Sequence, residues 1–131
     1  MIRQLDEGMM VGGQLYPERI AGLDVKMIVN NRPDGEEPGQ PTSEEIAAAA
    51  KAAGIAYRHI PVAGLSQPLV AEMEEALAAA EGPVLAFCKS GTRSAFLWAL
   101  ARARMGDDPD ALAEKAAAAG YDLTPIRAYL G

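Results

Sequence analysis

The apolar run Pro83–Phe87 (PVLAF) passes directly into Cys88-Lys89-Ser90-Gly91-Thr92-Arg93-Ser94, and a helical pattern follows over Ser94–Arg104. Few folds accommodate that order. A short, continuous apolar run is a strand buried on both faces, and such strands belong to parallel sheets covered by helices. The rest of the chain agrees. Val25–Asn30 (VKMIVN) is a second apolar, β-branched run, and Ile55–Ile60 (IAYRHI) alternates as a strand until Pro61. Thr42-Ser43-Glu44-Glu45 is a capping box, predicting a helix to about Ala53 with Gly54 as its stop. Pro68 opens a helix that runs to Gly82. In Ser94–Arg104, Phe96, Leu97, Leu100 and Ala101 have core-facing spacing. Asp108-Pro109 starts a helix ending at Gly120, and Thr124-Pro125 starts a short last one. The alternation predicts an α/β fold: a central, mostly parallel sheet flanked by helices in three layers. Ligands on such sheets bind at the carboxyl ends of the strands.

The chain has 131 residues, expected to form one domain over 1–131, and is 50% hydrophobic and 23% charged, which excludes a disordered polymer. One Cys rules out an intrachain disulfide, and one Cys with one His falls short of a four-ligand zinc site. No metal or organic cofactor is implied: neither a Walker loop nor a Rossmann glycine fingerprint is present. No apolar run approaches the roughly 20 residues of a membrane span. The N-terminus MIRQLDEGMM lacks a signal-peptide layout. The expected compartment is the cytoplasm, where a lone thiol stays reduced. A net charge of −6 disfavours nucleic acid as a partner. Any anion site must therefore be local, built from a few donors.

The cysteine loop has that character. A loop wrapped at a helix N-terminus points several backbone N–H groups at one centre and binds a tetrahedral oxyanion. Lys89, Ser90, Gly91, Thr92 and Arg93 are the expected oxyanion-binding residues. Gly91 allows the backbone turn, and Arg93 closes the cradle with a two-pronged guanidinium. Lys89 adds positive potential at its mouth. Cys88 lies at the base of the loop, where the helix terminus and Arg93 favour the thiolate, placed for in-line attack. Ser94 is expected to hydrogen-bond the sulfur. Cys88, Arg93 and Ser94 are the candidate catalytic residues.

Three blocks carry a family resemblance: Val29–Glu37 (VNNRPDGEE), His59–Val62 (HIPV) and Cys88–Ser94 (CKSGTRS). In that order they resemble the phosphatase-like domain family found alone, attached to beta-lactamase-like hydrolases, or beside sulfide-oxidising enzymes. The resemblance implies a tyrosine-phosphatase-like fold, Cys88 as nucleophile and Arg93 as anion clamp.

The chain departs from working phosphatases in three places. Tyrosine-phosphatase loops carry one residue more between Cys and Arg than the four here, and the shorter Cys-x4-Arg loop resembles rhodanese-type sulfurtransferases. Phe87 stands where phosphatases usually have His. After His59–Val62 no carboxylate occurs until Glu72, so the usual Asp general acid is missing; Asp34, Glu36 or Glu37 could supply one by folding over the site. General acid catalysis is worth about 10²–10⁴-fold when the leaving group is a phenoxide or alkoxide. Attack on the outer sulfur of thiosulfate expels sulfite, which needs no proton. The leading expectation is therefore a sulfurtransferase. Cys88 would carry a persulfide taken from thiosulfate or another persulfide and pass it to a small thiol such as glutathione. The alternatives are a dual-specificity-type phosphatase acting through a Cys88 phosphocysteine, and a non-catalytic oxyanion-binding module. Each takes a small sulfur or phosphorus oxyanion. Arg32, Asp34 and His59 are further candidates around the site. The competing roles are a loop-shaping salt bridge for Arg32 and a hydrogen-bonded strand residue for His59. Trp98 is expected in the core.

Overall fold

The computed structural model describes residues 1–131. A mixed five-stranded sheet forms its centre. β1 (Ile2–Asp6) pairs antiparallel with β2 (Met9–Gly12); β2, β3 (Met27–Asn30), β4 (Ala56–His59) and β5 (Val84–Phe87) are mutually parallel, in the order β1-β2-β5-β3-β4. The three strands expected from the sequence are there, one to two residues shorter at the start, and the one expected over Ile55–Ile60 also ends one residue early, at His59. The β1–β2 hairpin is an addition that the sequence pattern did not suggest. Its first strand is an exposed edge with only Leu5 buried, so it lacks the apolar run of a central strand. The Glu7-Gly8 turn between the two strands uses a positive φ at Gly8.

Helices cover both faces. α1 (Pro17–Ile20) and α2 (Ser43–Ala52) pack on one, through Ile20, Ile46 and Ala50 against Ile28, Leu85 and Phe87. α3 (Gln67–Ala79), α4 (Thr92–Arg104) and α5 (Pro109–Ala118) cover the other, over Met27, Val29, Val84 and Ala86. Successive residues of β3 and β5 thus feed opposite cores, as the two-residue strand period requires. A 3₁₀ helix, Thr124–Tyr129, closes the chain and buries Ile126.

Local signals hold at the helix ends. Thr42 Oγ1 accepts from the Glu45 amide and the Glu45 carboxylate accepts from the Thr42 amide, which completes the capping box. α4 starts two residues earlier than the pattern predicted, because Gly91 caps it in the left-handed region at φ +95. α4 is buried from Ser94 to Ala101 except for Phe96, and Trp98 lies in the core. No helix is long and apolar enough to cross a membrane.

Candidate active site

Register gathers the site. Gly12 stands opposite Phe87, Phe87 opposite Asn30, and Asn30 opposite His59. The four parallel strands therefore end level, and the segments leaving them meet at one edge: Gly13-Gln14, Asn31-Arg32, Ile60–Val62 and Cys88-Lys89. All three blocks singled out in the sequence converge there. Backbone hydrogen bonds fasten them: the Cys88 amide to Gly12 O (3.3 Å), Gln14 to Lys89 O (3.3 Å), Asn31 to Phe87 O (2.8 Å) and Val62 to Asn31 O (2.9 Å). A Cβ on Gly13 would lie 2.9 Å from Lys89 O, so the strand end and the cysteine loop approach as closely as backbones can.

Cys88 is 1% exposed. Burial alone pushes its thiol up, but the backbone amides of Ser94, Ser90, Gly91 and Arg93 favour the thiolate and leave its pKa below the ordinary thiol value. The Gly91 N–H lies 3.1 Å from Sγ. The expected helix-terminus effect is therefore present in its most local form, as the Gly91 N–H bonded to the sulfur and neighbouring loop amides that favour the thiolate. Ser94 takes part through its amide; its buried hydroxyl has no partner, which corrects the expected hydroxyl–sulfur bond.

Arg93 reaches back over the loop. Nη1 and Nη2 donate end-on to both oxygens of Glu36 (2.8 and 2.9 Å), and Nη1 also donates to Val62 O (3.0 Å). A guanidinium has five N–H groups. The two left over, on Nε and on the second Nη2 hydrogen, form the side-on fork. The Cys88 sulfur is among the groups that raise the Arg93 pKa, so the guanidinium lies within electrostatic reach of it while Glu36 holds the end-on edge. Lys89 is 64% exposed and lies 3.6 Å from Glu37, a solvated ion pair at the rim. Thr92 Oγ1 accepts from Ser90 Oγ (3.2 Å), so these two hydroxyls brace the outside of the loop.

Arg32, Asp34 and His59 do not line the cradle. Arg32 is 1% exposed; its Nε donates to Glu36 (2.9 Å), its Nη1 to Gln14 Oε1 (2.9 Å), and its Nη2 lies 3.1 Å from Glu37. It shapes the loop, the competing role stated above. Asp34 accepts from the Ser43 amide (2.8 Å) at the start of α2. His59 Nε2 lies 3.0 Å from Arg32 O, and because a carbonyl only accepts, that nitrogen carries the proton. Of the three, Arg32 holds Glu36, His59 holds the Arg32 carbonyl, and Asp34 holds the start of α2.

Glu36 cannot be the missing acid as it is held here. The Arg93 hydrogen bonds, helped by those of Arg32 and resisted by partial burial, bring its pKa down to about 2. Glu37 is likewise lowered, mainly by Arg32. Both are acceptors at neutral pH. No group of three or more His, Cys, Asp or Glu side chains is placed to hold a metal ion.

Sequence reasoning missed four supports. Asn30 Oδ1 accepts from the Arg32 amide (2.9 Å) and Asn31 Nδ2 donates to Ile60 O (3.0 Å). Two buried asparagines at a strand end were a readable signal, since buried polar side chains need partners. Gln14 and Tyr121 carried none. The Tyr121 hydroxyl donates to Ser90 O (3.3 Å) and crowds Gly91, where an added Cβ would collide with it. Gly91→Ala is therefore expected to be destabilised by about 1–3 kcal/mol from the positive φ alone. It should also lose rapid alkylation of Cys88; thermal melting and iodoacetamide labelling check the two effects.

A mostly parallel sheet whose central strand runs into a cysteine loop at a helix start is the tyrosine-phosphatase-like fold, and solved structures agree. The chain belongs to the family described as the phosphatase-like domain of beta-lactamase hydrolase-like proteins, whose model matches residues 1–105. A beta-lactamase hydrolase-like protein of Xylella fastidiosa is 38% identical over 131 residues, covering 93% of this chain and 30% of that protein. The chain thus spans under a third of the length of the curated relatives it matches. A candidate phosphatase from Neisseria meningitidis is 37% identical with a TM-score of 0.82, over 98% of this chain and 95% of that one. A kinase-associated phosphatase bearing Ser in place of its catalytic-site cysteine shares only 14% identity, yet has a TM-score of 0.73 over 99% of this chain and 91% of its own.

Proposed function

We propose that this chain is a cysteine-dependent phosphatase acting on phosphate monoesters with good leaving groups. The observation that carries the reading is the Cys88 sulfur beneath amides of its own loop, with the Arg93 guanidinium within electrostatic reach. The Cys88 thiolate attacks phosphorus while the guanidinium and the amides hold the phosphoryl oxygens. The P–O bond to the leaving group breaks, giving phosphocysteine and an alkoxide or phenoxide that takes its proton from water. A water molecule then breaks the S–P bond, releasing phosphate and restoring the thiolate. The family and the fold support this reading over the sulfurtransferase first expected. A reduced compartment such as the cytoplasm suits the thiolate.

The ionised state of Glu36 and Glu37 sets the substrate range. Without a proton donor, turnover depends on the leaving group's own acidity, so activated aryl phosphates outpace alkyl phosphates. The same absence, with the four-residue spacing, keeps sulfur transfer as a second reading. There the thiolate takes the outer sulfur of thiosulfate, sulfite leaves, and glutathione removes the sulfur as its persulfide. One preparation assayed with an aryl phosphate in one arm and thiosulfate plus glutathione in the other separates them. Phosphate release supports the phosphatase; sulfite release without phosphate overturns it in favour of sulfur transfer. Oxyanion binding without turnover in either arm leaves a binding module.

Glu36→Gln tests the clamp. The amide keeps the shape but gives up the charge-assisted bonds to Arg93, so kcat/KM is expected to fall about tenfold. The alkaline side of the pH–rate profile should keep its shape. Loss of a general acid would instead remove an alkaline limb and cost up to about 10⁴-fold.

A further inference from the structure

The segment that follows α5 lies beyond the residues matched by the family model, and it enters the site. Gly120, at φ +94, ends α5 in a complete Schellman turn: Tyr121 N–H bonds Ala116 O (2.8 Å) and Gly120 N–H bonds Ala117 O (3.0 Å). That turn sets where Tyr121 leaves the helix, and its half-buried ring packs against the core next to Gly91. The hydroxyl donates to Ser90 O.

Ser90 C=O and Gly91 N–H belong to one peptide plane, and in a trans peptide they point in opposite directions. One end of that plane meets Tyr121; the other meets Cys88 Sγ at 3.1 Å. Gly91 does not hold the plane by itself. Rotating the peptide by half a turn would carry its φ from +95 into the negative region, which glycine occupies as readily. The flipped plane would aim a carbonyl oxygen at the sulfur and repel the thiolate. We propose that Tyr121 is a positioning residue of the cradle: its hydroxyl locks the Ser90–Gly91 peptide so that the Gly91 N–H faces Cys88. Burial keeps the phenol protonated, and the nearby Cys88 adds to this against the opposing effect of Arg3, so the hydroxyl remains a donor at neutral pH. The proposal rests on Cys88 being the nucleophile of the site.

Tyr121→Phe removes the hydroxyl and keeps the ring. Cys88 is the only cysteine, so iodoacetamide alkylation followed by mass reports on it alone. The other charged group facing the sulfur, Arg93, is unchanged in the variant. Weakening one amide bond to a thiolate should shift the pH midpoint of alkylation upward. The rate at pH 6 would then fall about three- to tenfold, converging with wild type near pH 10. A merely structural tyrosine would lower the melting temperature and leave the midpoint in place. An unchanged midpoint, or equal slowing at every pH, overturns the proposal. Alkylation needs no turnover, so the result stands apart from the phosphatase assay: failure of that assay with a shifted midpoint sinks the proposed reaction and keeps Tyr121.

Discussion

Cys88→Ser is expected to lower aryl phosphate turnover by about four orders of magnitude or more while the fold survives. Serine is near in size and its oxygen accepts from the same amides, so the buried pocket under the loop stays filled. Its hydroxyl, however, is a far weaker acid than a thiol, and those amides cannot ionise it at neutral pH. The nucleophile is lost and the cradle is not. Inorganic phosphate should therefore bind Cys88→Ser at least as well as wild type, because the repelling thiolate charge has gone. Steady-state kinetics, calorimetry with phosphate and a melting curve read the three outcomes. Residual turnover within tenfold of wild type would remove Cys88 from the mechanism and with it the proposed phosphocysteine.

Arg93→Lys carries the second large effect. Lysine keeps the charge but has neither fork. The end-on pair to Glu36, the bond to Val62 O and the side-on edge all depend on a planar guanidinium. Loss of a donor pair aimed at developing charge costs about 10²–10³-fold in kcat, and kcat/KM should fall by at least that. The same change removes the two bonds from Arg93 to Glu36 and leaves the one from Arg32 Nε. In the wild type the Glu36 pKa of about 2 lies below the unfolded value, so the stability it contributes is present above about pH 4.5 and is lost as pH falls toward 2. The melting-temperature gap between wild type and Arg93→Lys should thus be widest above pH 5 and narrow toward pH 2. A gap independent of pH would mean that Glu36 is not tied to Arg93 in solution.

Much of the fold was legible because its signals are local. The capping box at Thr42 and the prolines at the helix starts act over three or four residues. The apolar runs of β3 and β5 mark strands covered on both faces, and both are. The β1–β2 hairpin escaped because an edge strand half open to solvent needs no apolar pattern, and Met9–Gly12 lies between glycines with two methionines and a single β-branched residue. α4 began earlier than predicted because its cap is a backbone conformation at Gly91 rather than a side chain.

For the site, the sequence by itself determined the cysteine loop. Cys88, Gly91, Arg93 and the amides between them lie within six residues at a strand-to-helix junction, so the wrap of the loop around the sulfur is set by local sequence. Only the tertiary structure decided what surrounds it. Arg93 and Glu36 are 57 positions apart, and Tyr121 and Ser90 are 31 apart. Nothing in their local spacing says that they meet, or that Arg32, besides its near neighbour Glu36, also reaches Gln14. Those partners follow from strand register, which ends four parallel strands at one level, and from the turn after α5. A one-residue slip in register would turn every side chain of a strand to the other face. Whether Glu36 is a proton donor or an ionised clamp is therefore a property of the packed sheet.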